Sequence, residues 1–173
     1  QDVTDLTLQL AGWMLVLGHK AASKEEGIQK AQEALRSGKA LELFLENITL
    51  QGGNAQQFVA ECGKRRSSHT CRIKAEQDGF IADIDAFKIG IAGVNLGVGR
   101  NKTTDAVCPD AGMILHKHAG DAVKKGDLIM DVYGKDAECL PAASDMIKKA
   151  IRYTAEKPQM RPLVFKEISA ADL

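Results

Sequence analysis

The sequence predicts an α+β chain: a helical segment over residues 1–63, a linker over 64–70, and a small α+β domain over 71–173. Three observations predict it. Apolar residues recur at helical spacing up to Gly63. The run KRRSSHT (64–70) is polar, basic and without period. From Cys71 the period falls to two, and pairs such as Asp78-Gly79, Gly120-Asp121 and Gly126-Asp127 punctuate short apolar runs.

The first helix carries Leu6, Leu10, Trp13, Met14 and Leu17 at i, i+4, i+7, i+8 and i+11. Leu8 and Leu15 lie off that stripe, so burial on more than one side is expected. Gly18 is the expected stop. Ser23 with Glu26 has capping-box spacing, and the helix it opens runs through Ile28, Ala31 and Leu35 to Gly38. A third helix carries Leu41, Phe44, Leu45 and Ile48, and Gly52-Gly53 breaks it. Asn54 with Gln57 caps a short fourth helix that Gly63 stops.

In the second half, CRIKAEQDGFIADIDA alternates, with Asp78-Gly79 placed as a hairpin turn. Asp85 is the expected N-cap of a helix bearing Gly90, Gly93 and Gly97 on one face, a pattern that predicts close approach of another backbone. GVGR (97–100) follows as a turn. Short strands split by Pro109-Asp110 and the two Gly-Asp pairs come next. A helix is expected over 141–156, with Ala143, Ile147, Ala150 and Ile151 inward and Pro141 in its first turn. PLVFKEI (162–168) reads as a closing strand.

Composition is that of a globular protein, with 45% apolar and 27% charged residues. Lys plus Arg equals Asp plus Glu, so formal net charge is zero, which argues against a general nucleic-acid binder. Cys62, Cys71, Cys108 and Cys139 form no C-x-x-C pair and read as thiols of a reducing compartment. No apolar run is long enough for a membrane helix, and QDVTDLTLQL lacks the basic region of a signal peptide.

AGDAVKKGDLIMDVYG (119–134) contains Gly-Asp-x-Val-x-x-Gly-Asp, a turn pattern shared with biotin and lipoate carriers. The glycines suit turn conformations and Val123 points inward, so the pattern specifies a β corner and no chemistry. A carrier also needs a lysine within Met-Lys-Met or Asp-Lys-Ala. Lys88, Lys117 and Lys135 lack those flanks. A non-catalytic carrier or assembly module is therefore the alternative reading.

Gly97-Val-Gly-Arg-Asn-Lys-Thr has the wrong spacing for a phosphate loop. A structural turn is expected, with Gly97 and Gly99 at the bend and Arg100 pairing to a neighbouring domain. His116 and His118 would share one face of a strand, yet zinc needs further ligands, so no metal site is expected. No nucleophile motif is present. Nothing marks Asp83 and Asp85 as an acid–base pair.

The ordered features do resemble a family. DLTLQLAGWMLVLGHKA, a capped helix ending SGKALELF, DGFIADIDAFKIGIAGVNLGVGR and a terminal Pro-x-x-Phe-x-x-Ile are similar to the C-terminal portion of the pyrimidine-nucleoside (thymidine) phosphorylases. Leu96-Gly97-Val98-Gly99-Arg100 stands where the family reads Leu-Gly-Ala-Gly-Arg, and Asp105 matches an acidic residue after it.

The resemblance implies phosphorolysis: pyrimidine nucleoside plus phosphate gives free base and (deoxy)ribose 1-phosphate. It implies a cytoplasmic homodimer without a cofactor, phosphate being co-substrate. It implies that residues 1–63 belong to a larger α/β domain and that 71–173 form a small α/β domain whose β part is barrel-sandwich-like. Nucleoside and phosphate would bind mainly in an N-terminal part, whose Gly-Gly-Thr signature is absent here, since Gly52-Gly53 precedes Asn54. No catalytic residue carries over. HKHAGDAVKKG (116–126) resembles a mobile segment near the substrate cleft, which makes Lys117, Lys124 and Lys125 candidates for cleft closure, with Gly120 and Gly126 as turn residues.

Overall fold

The computed structural model describes residues 2–159 and 161–168. The chain divides into two compact units. One comprises 2–62 together with 161–168, the other 63–159.

The first unit is helical: α1 (Asp2–Leu17), α2 (Lys24–Arg36), α3 (Lys39–Leu50) and α4 (Ala55–Glu61). Ser23 Oγ accepts from Glu26 N–H, as the capping spacing predicts. The Glu26 carboxylate takes the Ala22 N–H at 2.7 Å, one residue before the N-cap. Asn54 accepts from Gln57 N–H at 2.9 Å and opens α4. α1 ends at Leu17, directly before the expected stop Gly18, and the left-handed residue that follows is His19 (φ 55°).

α1 meets α2 along Leu8, Ala11, Gly12 and Leu15. A Cβ on Gly27 would lie 2.9 Å from Gly12 Cα, so only glycines allow this crossing. The stripe of Leu10, Trp13, Met14 and Leu17 faces solvent instead, with Leu17 76% exposed. The expected strand over 162–168 is absent from this unit. Those residues form neither helix nor strand.

The second unit carries β1 (Thr70–Lys74), β2 (Gly79–Ile84), α5 (Ala86–Leu96), β3 (Gly112–Leu115), β4 (Ala122–Val123), β5 (Leu128–Tyr133), α6 (Cys139–Ala150) and β6 (Ile151–Thr154). Its strands form two three-stranded antiparallel sheets, β1-β5-β3 and β4-β2-β6. Ile73, Ile81, Leu96, Ile129, Val132 and Ile147 are fully buried between the sheets and helices. Burying such a side chain contributes roughly 1.5–3 kcal/mol.

Two expectations need correction here. β1 and β2 do not form a hairpin across Asp78-Gly79; they lie in different sheets. Ala75 gives its N–H to Asp127 O and its C=O to Gly126 N–H, both at 2.8 Å. Asp78 accepts from Lys125 N–H at 2.6 Å. The groups a hairpin would use are therefore taken by a distant turn. The helix expected over 141–156 ends at Ala150, because Ile151–Thr154, rich in β-branched and aromatic residues, pairs with β2 as β6.

The basic run is anchored to this unit. Arg65 pairs with Asp110 at 2.9 Å, and the Arg66 guanidinium lies 5.7 Å from the Tyr133 ring centre. Ser67 Oγ donates to Gly134 O at 2.6 Å.

Candidate functional site

The candidate turn residues Gly97, Gly99, Arg100, Gly120 and Gly126 and the lysines Lys117, Lys124 and Lys125 fall on the segment from the end of α5 to the start of β5. Asp85 caps α5 by accepting from Lys88 N–H at 3.1 Å. That N–H first, and then the Lys88 side chain, hold the Asp85 carboxyl below the ordinary carboxylate range. Gly97 ends α5 with φ 100°, which a residue with Cβ resists. Cys108 N–H donates to Gly97 O, and Lys135 N–H to Leu96 O, so two distant strands of chain seal the helix end.

Gly90 and Gly93 do not meet another backbone. Nothing lies within 4 Å of a Cβ placed on Gly90, and Gly93 faces the Met113 side chain at 3.4 Å. The close backbone approach predicted for this face occurs at Gly12 and Gly27. Gly99 packs on the Val94 side chain, and Arg100 is exposed.

Beyond Arg100 the chain runs without helix or strand to β3. Asp105 accepts from the N–H groups of Asn101 (3.0 Å) and Lys102 (2.9 Å). It fixes the backbone there and leaves residues 101–104 exposed.

The two Gly-Asp turns are built alike. In the first, Gly120 has φ 91°, Asp121 N–H donates to His118 O, and Asp121 Oδ2 accepts from His118 N–H. In the second, Gly126 has φ 95°, with the same pair of bonds between Asp127 and Lys124. Positive φ at the third residue of such a turn favours glycine. Each turn also grips one buried residue through two backbone bonds: Gly120 N–H and Asp121 O on Ile81, Gly126 N–H and Asp127 O on Ala75. The sequence pattern thus encodes two equivalent clamps. Lys124 and Lys125 are exposed at the second; Lys117, half-buried, precedes the first.

The other lysines weighed as carrier positions are engaged. Lys88 Nζ pairs with Asp85 at 3.1 Å, and the Lys135 stem packs over Gly97. His116 and His118 both lie past the end of β3 and have separate partners. His116 Nε2 is 2.8 Å from Asp131 Oδ2, and His118 is beside Asp121. Arg72 also reaches Asp131, at 3.4 Å. Asp83 pairs with Arg152 at 3.2 Å. Among the described residues no group of three or more His, Cys, Asp or Glu side chains could hold a metal ion. No described helix is long and apolar enough to cross a membrane.

Residues 80–154, from β2 through both Gly-Asp turns to β6, match the family model of the pyrimidine nucleoside phosphorylase C-terminal domain. The chain belongs to the pyrimidine-nucleoside phosphorylase family. It is 30% identical over 169 residues to the pyrimidine-nucleoside phosphorylase of Geobacillus stearothermophilus, covering 98% of this chain and 39% of that protein. It is 32% identical over 149 residues to that of Staphylococcus haemolyticus, covering 86% of this chain and 34% of the relative. Against the thymidine phosphorylase of Mycoplasma genitalium it is 33% identical over 150 residues, covering 87% and 35%. The chain thus corresponds to the C-terminal portion and spans little more than a third of these phosphorylases.

Seen as a phosphorylase C-terminal domain, the second unit is held by braces that sequence reasoning did not single out. Asp121 and Asp127 fix the turns, and Asp131 bridges Arg72 and His116 across the sheet. The spacing of Asp three residues after the turn's first residue was the available signal for the first two.

Proposed function

We propose that this chain is the C-terminal part of an enzyme that converts a pyrimidine nucleoside and phosphate to the free base and (deoxy)ribose 1-phosphate. The carrying observation is the match of 80–154 to the phosphorylase C-terminal domain, within a chain spanning little more than a third of its relatives. In this reaction phosphate attacks C1′ as the pyrimidine leaves as an anion. Catalysis rests on fixed positive groups placed where charge develops. Those groups belong to the rest of the polypeptide. Phosphate is co-substrate, and no cofactor takes part.

The helices of residues 2–62 cover the sheet of a larger α/β domain. The twin turns support a barrel-sandwich-like arrangement kept for its shape. Lys117, Lys124 and Lys125 influence closure of the cleft in the intact enzyme, which is a cytoplasmic homodimer.

The test is thymidine phosphorolysis, with intact mass recorded on the same preparation. The 18.7 kDa chain alone is expected to release no thymine, while the polypeptide of relatives' length releases it. Thymine release by the lone chain would place the catalytic groups here and overturn the reading.

A further inference from the structure

In the second unit the inward faces of α5 and α6 are already satisfied, with Ala92, Leu96, Ala143 and Ile147 fully buried. Their outer faces leave a groove of about 330 Å³, lined by Phe87 and Ile91 from α5 and by Ala142 and Met146 from α6. Phe87 and Ile91 lie outside the core, and Phe87, 77% exposed, stands as a knob beside the groove. Gly90, one turn on from Phe87, is also exposed and has nothing within 4 Å of where a Cβ would lie. Glycine inside a helix lowers its stability. Here it bares the α5 backbone next to the knob. The same face thus carries a protrusion and the space to receive one, on an apolar surface of the kind that marks an interaction site.

The rim carries three charged side chains, Lys88, Asp145 and Lys149. Lys88 is engaged by Asp85 at 3.1 Å. Asp145 and Lys149 are exposed, and among the described residues neither has an ion-pair partner. They stand four residues apart on α6, so their side chains leave the helix about 6 Å apart on one face, beside Met146. The free charges of the groove are therefore one acid and one base.

We propose that the α5–α6 groove is an interface between two copies of this chain, related by a two-fold axis beside Met146. In such an isologous contact, if one residue meets a second on the other copy, the second meets the first in return. Two α6 helices crossing antiparallel set Asp145 against the partner's Lys149 and Lys149 against the partner's Asp145. One acid and one base on each copy then make two ion pairs. Phe87 of each copy enters the other's groove over Ile91 and Met146, next to the backbone that Gly90 leaves bare. The occupant is argued from charge: the two free charges are of opposite sign, at a spacing that complements itself when the helix is reversed. Two short helix faces supply far fewer than the roughly 20–30 residues a side of a standard interface. The association is accordingly weak, with a Kd on the order of 100 μM.

The experiment is sedimentation equilibrium of the 173-residue chain up to about 1 mM, well above that Kd. The unsubstituted chain is expected to dimerise. Asp145→Lys and Lys149→Asp, each alone, place like charges opposite one another at both contacts and are expected to weaken dimerisation about tenfold or more. Mixed in equal amounts, the two variants meet with opposite charges at both contacts. Dimerisation of the mixture is expected to return to within about threefold of the unsubstituted chain. Phe87→Ser is expected to weaken dimerisation about tenfold, with no rescue by either charge variant. All three positions are exposed, so each variant should keep the circular dichroism of the unsubstituted chain. A chain that stays monomeric at the highest concentration overturns the proposal. So does a mixture that associates no more tightly than its components. Association that is equal in the unsubstituted chain and every variant also overturns it, and assigns the contact to the apolar faces of residues 2–62.

Discussion

The helices of residues 2–62 and the unit of residues 63–159 contain comparable apolar sequence but use it differently. Every buried hydrophobic side chain among the described residues lies between Ile73 and Ile151. In α1 to α4 the buried residues are Gly12 and Gly27, which have no side chain to bury. One unit has a core; the other has amphipathic helices whose apolar faces await cover. Helical periodicity therefore reports that a face will be buried in something, and not in what.

The largest expected difference comes from truncating equivalent apolar residues in the two units. Ile147→Ala should destabilise the second unit by about 2–5 kcal/mol, from lost transfer and a residual cavity. Leu10→Ala in the same chain should change stability by less than about 0.5 kcal/mol, because it removes an exposed side chain. Urea titrations followed by circular dichroism measure both. Equal effects would break the comparison.

Within the helical unit, Gly27→Val should be the most damaging change. Its side chain would be driven into the Gly12 backbone, and overpacking of this kind costs about 1–3 kcal/mol even where relaxation is possible. The expected result is loss of part of the helical signal, with the thermal transition of the second unit unmoved.

The twin turns offer a comparison inside the second unit. Gly120→Ala and Gly126→Ala each force a side chain into positive φ, at a cost of roughly 1–2 kcal/mol. Because the turns grip Ile81 and Ala75 through the same bonds, the two losses should be similar. A large inequality in melting temperature would show that the turns are not equivalent clamps.

The smallest effect concerns Asp85. Its carboxyl is held below the ordinary range by the Lys88 N–H and side chain. A depressed folded-state pKa gives stability that is present above the ordinary carboxylate value and lost as pH falls through the folded one. Asp85→Ala should therefore flatten the acid limb of the stability profile slightly, with little change in its shape above neutrality.

Sequence reading recovered what local chemistry decides. The caps at Ser23, Asn54 and Asp85, the breaks at Gly38 and Gly52, and the strands between Gly-Asp pairs all follow from short-range hydrogen bonding and φ preference. It failed where distant chain intervened. Asp78-Gly79 has hairpin chemistry, yet the Lys124–Asp127 turn occupies the backbone that pairing would need. Ile151–Thr154 continued a helical pattern until β2 supplied a partner strand. Gly90 and Gly93 suggested a backbone contact, but the contact is at Gly12 and Gly27, a pairing of two helices no local pattern announces. At the candidate site the turns are legible from their Gly-Asp pairs, whereas Asp131 meets Arg72 and His116 only through strand pairing.

The central claim is that this chain holds one self-sufficient unit and one helical unit that lacks a core. Amide hydrogen exchange on the 173-residue chain, resolved by peptide, tests it most directly. The account predicts that α6 amides exchange only through global unfolding of the second unit, while those of α3 and α4 open far more readily. Protection of α3 and α4 equal to that of α6, in the lone chain at low concentration, would contradict it.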